Sequence, residues 1–130
     1  MITVLIKTES HYTVDRKRIR ETIEKFLKER GVKGKVEISL SIVGDRQIRK
    51  LNLKYRNLDE EAVVLAFPLS ENQEQIPFAG PPDDVLRLGD IVISYPQARD
   101  LARIEEKLVD DKIDELIIHG MKHLLGNNQD

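Results

Sequence analysis

Two histidines four residues apart, His119 and His123, carry the clearest chemistry in this chain. On a helix, residues i and i+4 lie on one face. Both imidazoles can then offer a neutral nitrogen to the same divalent ion. An ion held by three protein ligands, with one position open, brings the pKa of water close to neutral and so does hydrolytic chemistry. Here two ligands are evident and the third is not. Gly126 lets the chain turn back after the helix, which leaves Asn127, Asn128, Gln129 and Asp130 in reach. The plain alternative is that the pair are ordinary polar residues on a helix edge. The third histidine, His11, stands near a turn and joins no such set.

The element that must position the pair is a helix beginning at Asp110 and Asp111 and ending at Gly126. Acidic residues at its start and Lys122 near its end suit the macrodipole. Ile113, Leu116, Ile117, Met121 and Leu124 supply a core stripe, and the two histidines flank it. Upstream, residues 2–6 read as a strand rich in β-branched side chains. Ile19, Ile23, Phe26 and Leu27 recur at helical spacing after Val14, up to Gly31. Val36, Ile38, Leu40 and Ile42 alternate as a second strand. Asp45 is placed to cap a helix carrying Ile48, Leu51 and Tyr55. Residues 62–67 form a continuous apolar run, as expected of a strand buried on both faces. A polar stretch from Ser70 to about Arg87 follows, with Pro77, Phe78, Gly80, Pro81 and Pro82. Ile91 to Ile93 make a further strand, and Pro96 opens a helix through about Lys107. The pattern predicts an α+β fold: a small mixed β-sheet packed with helices, the His-x-x-x-His helix central among them.

The chain has 130 residues, 40% hydrophobic and 34% charged, which suits a single domain spanning 1–130 with a real core and a well-solvated surface. With a net charge of -2, no global field draws it to nucleic acid, and any such contact must be local. The absence of cysteine excludes disulfides and Cys-type zinc sites and is compatible with a reducing cytoplasm. No apolar run is long enough for a bilayer, and no signal-peptide pattern opens the chain. The oligomeric state is left open.

Four blocks in order resemble the YbeY family of metal-dependent ribosomal-RNA maturation endoribonucleases. They are Leu51-Asn52 with Tyr55-Arg56, then Val64-Leu65 with Phe67-Pro68, then Leu88-Gly89-Asp90-Ile91, then the run from His119-Gly120 through His123-Leu124 to Gly126. The resemblance implies one Zn2+ per chain, or another divalent ion, held by three signature positions: His119, His123 and Gln129, the last a His in the family. It implies that Arg56 lines the same cleft as a catalytic residue. It implies single-stranded or ribosomal RNA as substrate, the small ribosomal subunit as partner, and a cytoplasmic setting.

The departures cluster at the same place. Gln129 is a poorer zinc ligand than imidazole, and the neighbouring Asp130 is a better donor. Asn127-Asn128 replace Tyr-Asp, and Ala62, Val63 and Ala66 stand where the family has Thr, Asp and Ser. Phosphodiester cleavage gathers negative charge on the phosphate, which a planar guanidinium can hold through two oxygens, the role suited to Arg56. Arg46, Arg49 and Lys50 share a helix face that could track phosphates. The cluster Arg16, Lys17, Arg18 and Arg20 reads better as a solvated face. Two other functions fit less of the chain. One is an RNA- or ribosome-binding module of the same fold with a degraded site. The other is a metalloprotease, which would need Glu where Gly120 stands.

Overall fold

The computed structural model describes residues 1–69 and 84–126. The elements are β1 (Ile2–Thr8), α1 (Arg16–Glu29), β2 (Lys35–Val43), α2 (Asp45–Arg56), β3 (Val64–Pro68), β4 (Val85–Ser94), α3 (Tyr95–Ile104) and α4 (Val109–Leu124). The four strands form one sheet in the order β1-β2-β4-β3. β1, β2 and β4 run parallel, and β3 is antiparallel to β4. The fold is therefore α+β with a mixed sheet, as the pattern predicts.

Alternation sorts the strand residues onto two faces. Ile38, Leu40, Ile42, Ile91 and Ile93 point to one face and are buried beneath Ile23 and Leu27 of α1 and Ile117, Met121 and Leu124 of α4. Val43, Val92 and Leu65 point to the other and pack with Ile48 of α2. Thus α4 and α2 lie on opposite faces of the sheet. Arg18 fastens α1 to α4, its Nε donating to Asp114 Oδ2 at 2.9 Å and its Nη2 meeting Asp111. Those carboxylates push the guanidinium pKa up. Arg16 donates to Ile6 O and Thr8 Oγ1. These two members of the first-helix basic cluster are thus structural contacts, and not only a solvated face.

Several sequence expectations are corrected. Gly44, not Asp45, is the N-cap residue of α2. Asp45 is the first helical residue, and its Oδ1 accepts from Ser94 Oγ at 2.8 Å and Gln97 Nε2 at 3.0 Å. A local capping pattern gave way to partners far away in the chain. Only Leu65 of β3 is buried and the rest is half-buried, because β3 is an edge strand whose faces are only partly covered. β4 begins at Val85, so residues 85–87 belong to a strand and not to the polar stretch; Pro77, Phe78, Gly80, Pro81 and Pro82 lie outside the described residues. The third predicted helix ends at Ile104 and not near Lys107, with Glu106 in a left-handed conformation at φ 58°. Among the described residues no helix is long and apolar enough to cross a membrane.

One backbone position holds β3 in place. The β2–β4 register slips between Glu37 and Ile38, passing over Leu88, a β-bulge. Beside it Gly89 has φ 135°, and a Cβ there would stand 2.2 Å from Phe67 O on β3. Strain and a backbone clash combine, so Gly89→Ala is expected to destabilise by about 3 kcal/mol or more. Urea unfolding should show the midpoint falling with the m-value unchanged. A variant as stable as the parent would mean that β3 sits elsewhere.

Candidate active site

In α4 the buried stripe is Ile113, Leu116, Ile117, Gly120, Met121 and Leu124. Four residues advance about 6 Å along the axis and little more than one turn, so His119 and His123 stand one above the other beside that stripe. Both are exposed. Gly120, between them, is buried, and a Cβ there would meet Ile91 Cδ1 at 2.9 Å. Its missing side chain lets α4 approach β4 closely. A Glu at this position, as a metalloprotease of this pattern requires, would face the core.

A cleft of about 360 Å³ is lined by Tyr55, Arg56, Val64, Leu65, Ala66, Phe67, His119 and His123. Three sequence candidates, Arg56, His119 and His123, therefore meet in one place. They arrive from opposite faces of the sheet: α2 brings Arg56 and α4 brings the imidazoles. They converge past the outer edge of β3.

The turn after α2 fixes the Arg56 backbone. Asn57 adopts the left-handed conformation that ends the helix, φ 59°. The buried Asn52 donates from Nδ2 to Glu60 O at 3.0 Å. Arg49 Nε donates to Asp59 Oδ1 at 2.8 Å, which holds the Asp59 carboxyl below the usual carboxylate range and raises the guanidinium. Arg56 has no ion-pair partner among the described residues, and its charge stays available to a ligand. The supposed phosphate track of Arg46, Arg49 and Lys50 is divided. Arg49 is committed to Asp59, whereas Arg46 and Lys50 line a separate cleft with Lys7 and Glu9.

The donor chemistry suits a divalent ion as far as the described residues go. Two imidazoles at ligand spacing face an open cleft, and neither has a hydrogen-bond partner among the described residues. No group of three or more His, Cys, Asp or Glu able to hold a metal occurs among them. Gln129 and Asp130, the candidates for a third ligand, lie outside the described residues, beyond Gly126 with φ 76°. His11 is not in the cleft; its ring lies against Tyr12, 4.1 Å between centroids.

Sequence reasoning missed the aromatic wall. Tyr55 follows Ile48 and Leu51 at core spacing, yet it is 58% exposed. It lies at the C-terminal end of α2, where the sheet edge gives out, and tilts against Phe67 with centroids 5.1 Å apart. Only the strand order reveals this.

Comparison with known proteins gives a consistent result. The family model described as endoribonuclease YbeY matches residues 5–129. An endoribonuclease YbeY of Dehalococcoides mccartyi is 38% identical over 130 residues, which is 96% of this chain and 76% of that protein. The counterpart in a second strain is 36% identical, over 96% of this chain and 81% of the relative. The solution structure of TM1509 from Thermotoga maritima shares the fold, with a TM-score of 0.62 at 24% identity over 94% of this chain and 71% of that one.

The contact between Gly120 and Ile91 gives a direct check on the packing that sets both histidines. Gly120→Ala gains about 1 kcal/mol of helix propensity and loses about 1–3 kcal/mol to overpacking. Ile91→Val removes the Cδ1 that is struck. A double-mutant cycle should therefore show Gly120→Ala more favourable in the Ile91→Val background by about 1 kcal/mol. Simple additivity would mean that the helix and strand do not touch there.

Proposed function

The chain belongs to the YbeY endoribonuclease family, and from that premise we propose that it is a metal-dependent endoribonuclease cutting single-stranded RNA. The observation that carries this is the convergence of Arg56 with His119 and His123 in one cleft. Family membership further suggests ribosomal RNA precursors as the substrate, small-subunit maturation as the process and the cytoplasm as the setting, the work of one domain spanning 1–130.

His119 and His123 would hold a divalent ion, zinc by preference for imidazole, with Gln129 or Asp130 completing the set. When bound, the ion supplies Lewis acidity and a nucleophile usable at neutral pH. Arg56 would grip two non-bridging oxygens of the scissile phosphate and offset the charge that grows there. Its planar fork serves as a clamp on the phosphate. The cleft, at the small end of ligand pockets, suits a nucleotide or two of a single strand and not a duplex.

One observation favours a second reading. Gln129, a weak ligand, stands where the family carries its third signature His. A module that binds RNA without cutting it would retain Arg56 and the cleft while losing the ion.

Equilibrium dialysis separates the two. The endoribonuclease should take up one zinc ion per chain, and His119→Ala or His123→Ala should weaken uptake at least about 10-fold. Gln129→His should bind zinc more tightly and cut RNA faster. On a single-stranded oligonucleotide, Arg56→Ala should lower kcat about 100-fold, and chelation should stop cleavage. A chain that binds RNA but takes up no zinc, even at high concentration, is the binding module.

A further inference from the structure

The cleft holds hydrogen-bonding groups that neither the histidines nor Arg56 accounts for. Among the described residues β3 pairs on one side only, with β4. Two bonds fix the phase of that ladder: Ser94 N–H donates to Val63 O at 3.0 Å and Leu69 N–H to Leu88 O at 3.0 Å. In an antiparallel pair, alternate residues exchange both of their bonds with the partner. Leu65 and Phe67 therefore turn their peptide groups to β4. Val64 and Ala66 turn N–H and C=O outward, and both residues line the cleft. Donor and acceptor thus stand side by side twice, roughly 6.8 Å apart. Pro68 ends the open edge directly afterwards.

An unpaired strand edge is usually covered or blunted; this one opens beside the histidines and Arg56. A phosphate only accepts hydrogen bonds, so it would satisfy the N–H groups and oppose the carbonyls. A nucleobase edge carries donors and acceptors side by side and matches the strand. A base bonded in the plane of the sheet leaves one face on the α2 side. There Tyr55 stands exposed and propped on Phe67, a surface on which a base stacks. A second polypeptide strand would also fit a bare edge. The exposed ring favours a nucleotide, as does the Arg56 guanidinium beside it, which has no ion-pair partner among the described residues.

On the reading of this cleft as a ribonuclease site, we infer that the outer edge of β3 and the Tyr55 ring form a base-binding subsite for an unpaired nucleotide next to the scissile phosphate. Single-strand selectivity follows directly, because a base paired in a duplex has no free Watson–Crick edge to offer Val64 and Ala66. Fluorescence anisotropy of labelled single-stranded RNA, with chelator present to silence cleavage, tests this. Replacing the bases one at a time by abasic ribose should weaken binding about 10-fold at one position and little elsewhere. Tyr55→Ala should weaken binding about 10-fold and erase that position's effect, while Tyr55→Phe stays within about twofold. Ala66→Pro removes one outward N–H and leaves the ladder bonds intact, so it should weaken binding about fivefold. If RNA binds yet tolerates abasic ribose equally at every position, the subsite is overturned and the ribonuclease reading stands. If the protein binds no RNA but holds an unstructured peptide, the edge takes a polypeptide strand and both fall.

Discussion

The close seating of α4 on β4 is the constraint from which the rest of the cleft follows. Gly120 lies against Ile91 with no room for a Cβ, and Ile117, Met121 and Leu124 bury the remainder of the helix face. Interiors packed to this density transmit position faithfully. The backbone positions of the two histidines, one turn apart at the margin of that face, are therefore set by the core; among the described residues neither ring has a hydrogen-bond partner of its own. A helix held a little further off would carry both away from β3.

Edge placement of β3 is the second determinant. An interior strand would separate the two faces of the sheet, and α2 and α4 could not share a cleft. At the edge, both helices reach past the strand. Gly89 makes that placement possible by bringing β4 so close to Phe67 O that no side chain fits. The same placement leaves Val64 and Ala66 with peptide groups directed outward. One topological fact thus joins the histidines, the arginine and a hydrogen-bonding edge.

Several cations are committed to fixed partners. Arg18 is taken up by Asp111 and Asp114, Arg16 by Ile6 and Thr8, and Arg49 by Asp59. With a net charge of -2, attraction of a polyanion must come from the cations without such partners. Among the described residues Arg56 is one of them at the cleft, and the turn held by Asn52 keeps its backbone in place.

Much of the fold was legible in the sequence because periodicity is local: Val36, Ile38, Leu40 and Ile42 announce a strand, and Ile19, Ile23, Phe26 and Leu27 a helix. Asp45 and Tyr55 misled because their short-range pattern matched a cap and a core position, while their surroundings come from distant segments. The relation of His119 to His123 needed only helix geometry, which four residues fix between themselves. That Arg56, Tyr55 and the bare edge of β3 join them depended on strand order and on which face each helix covers. Those are decided by burial of the whole core, which no short stretch of sequence encodes.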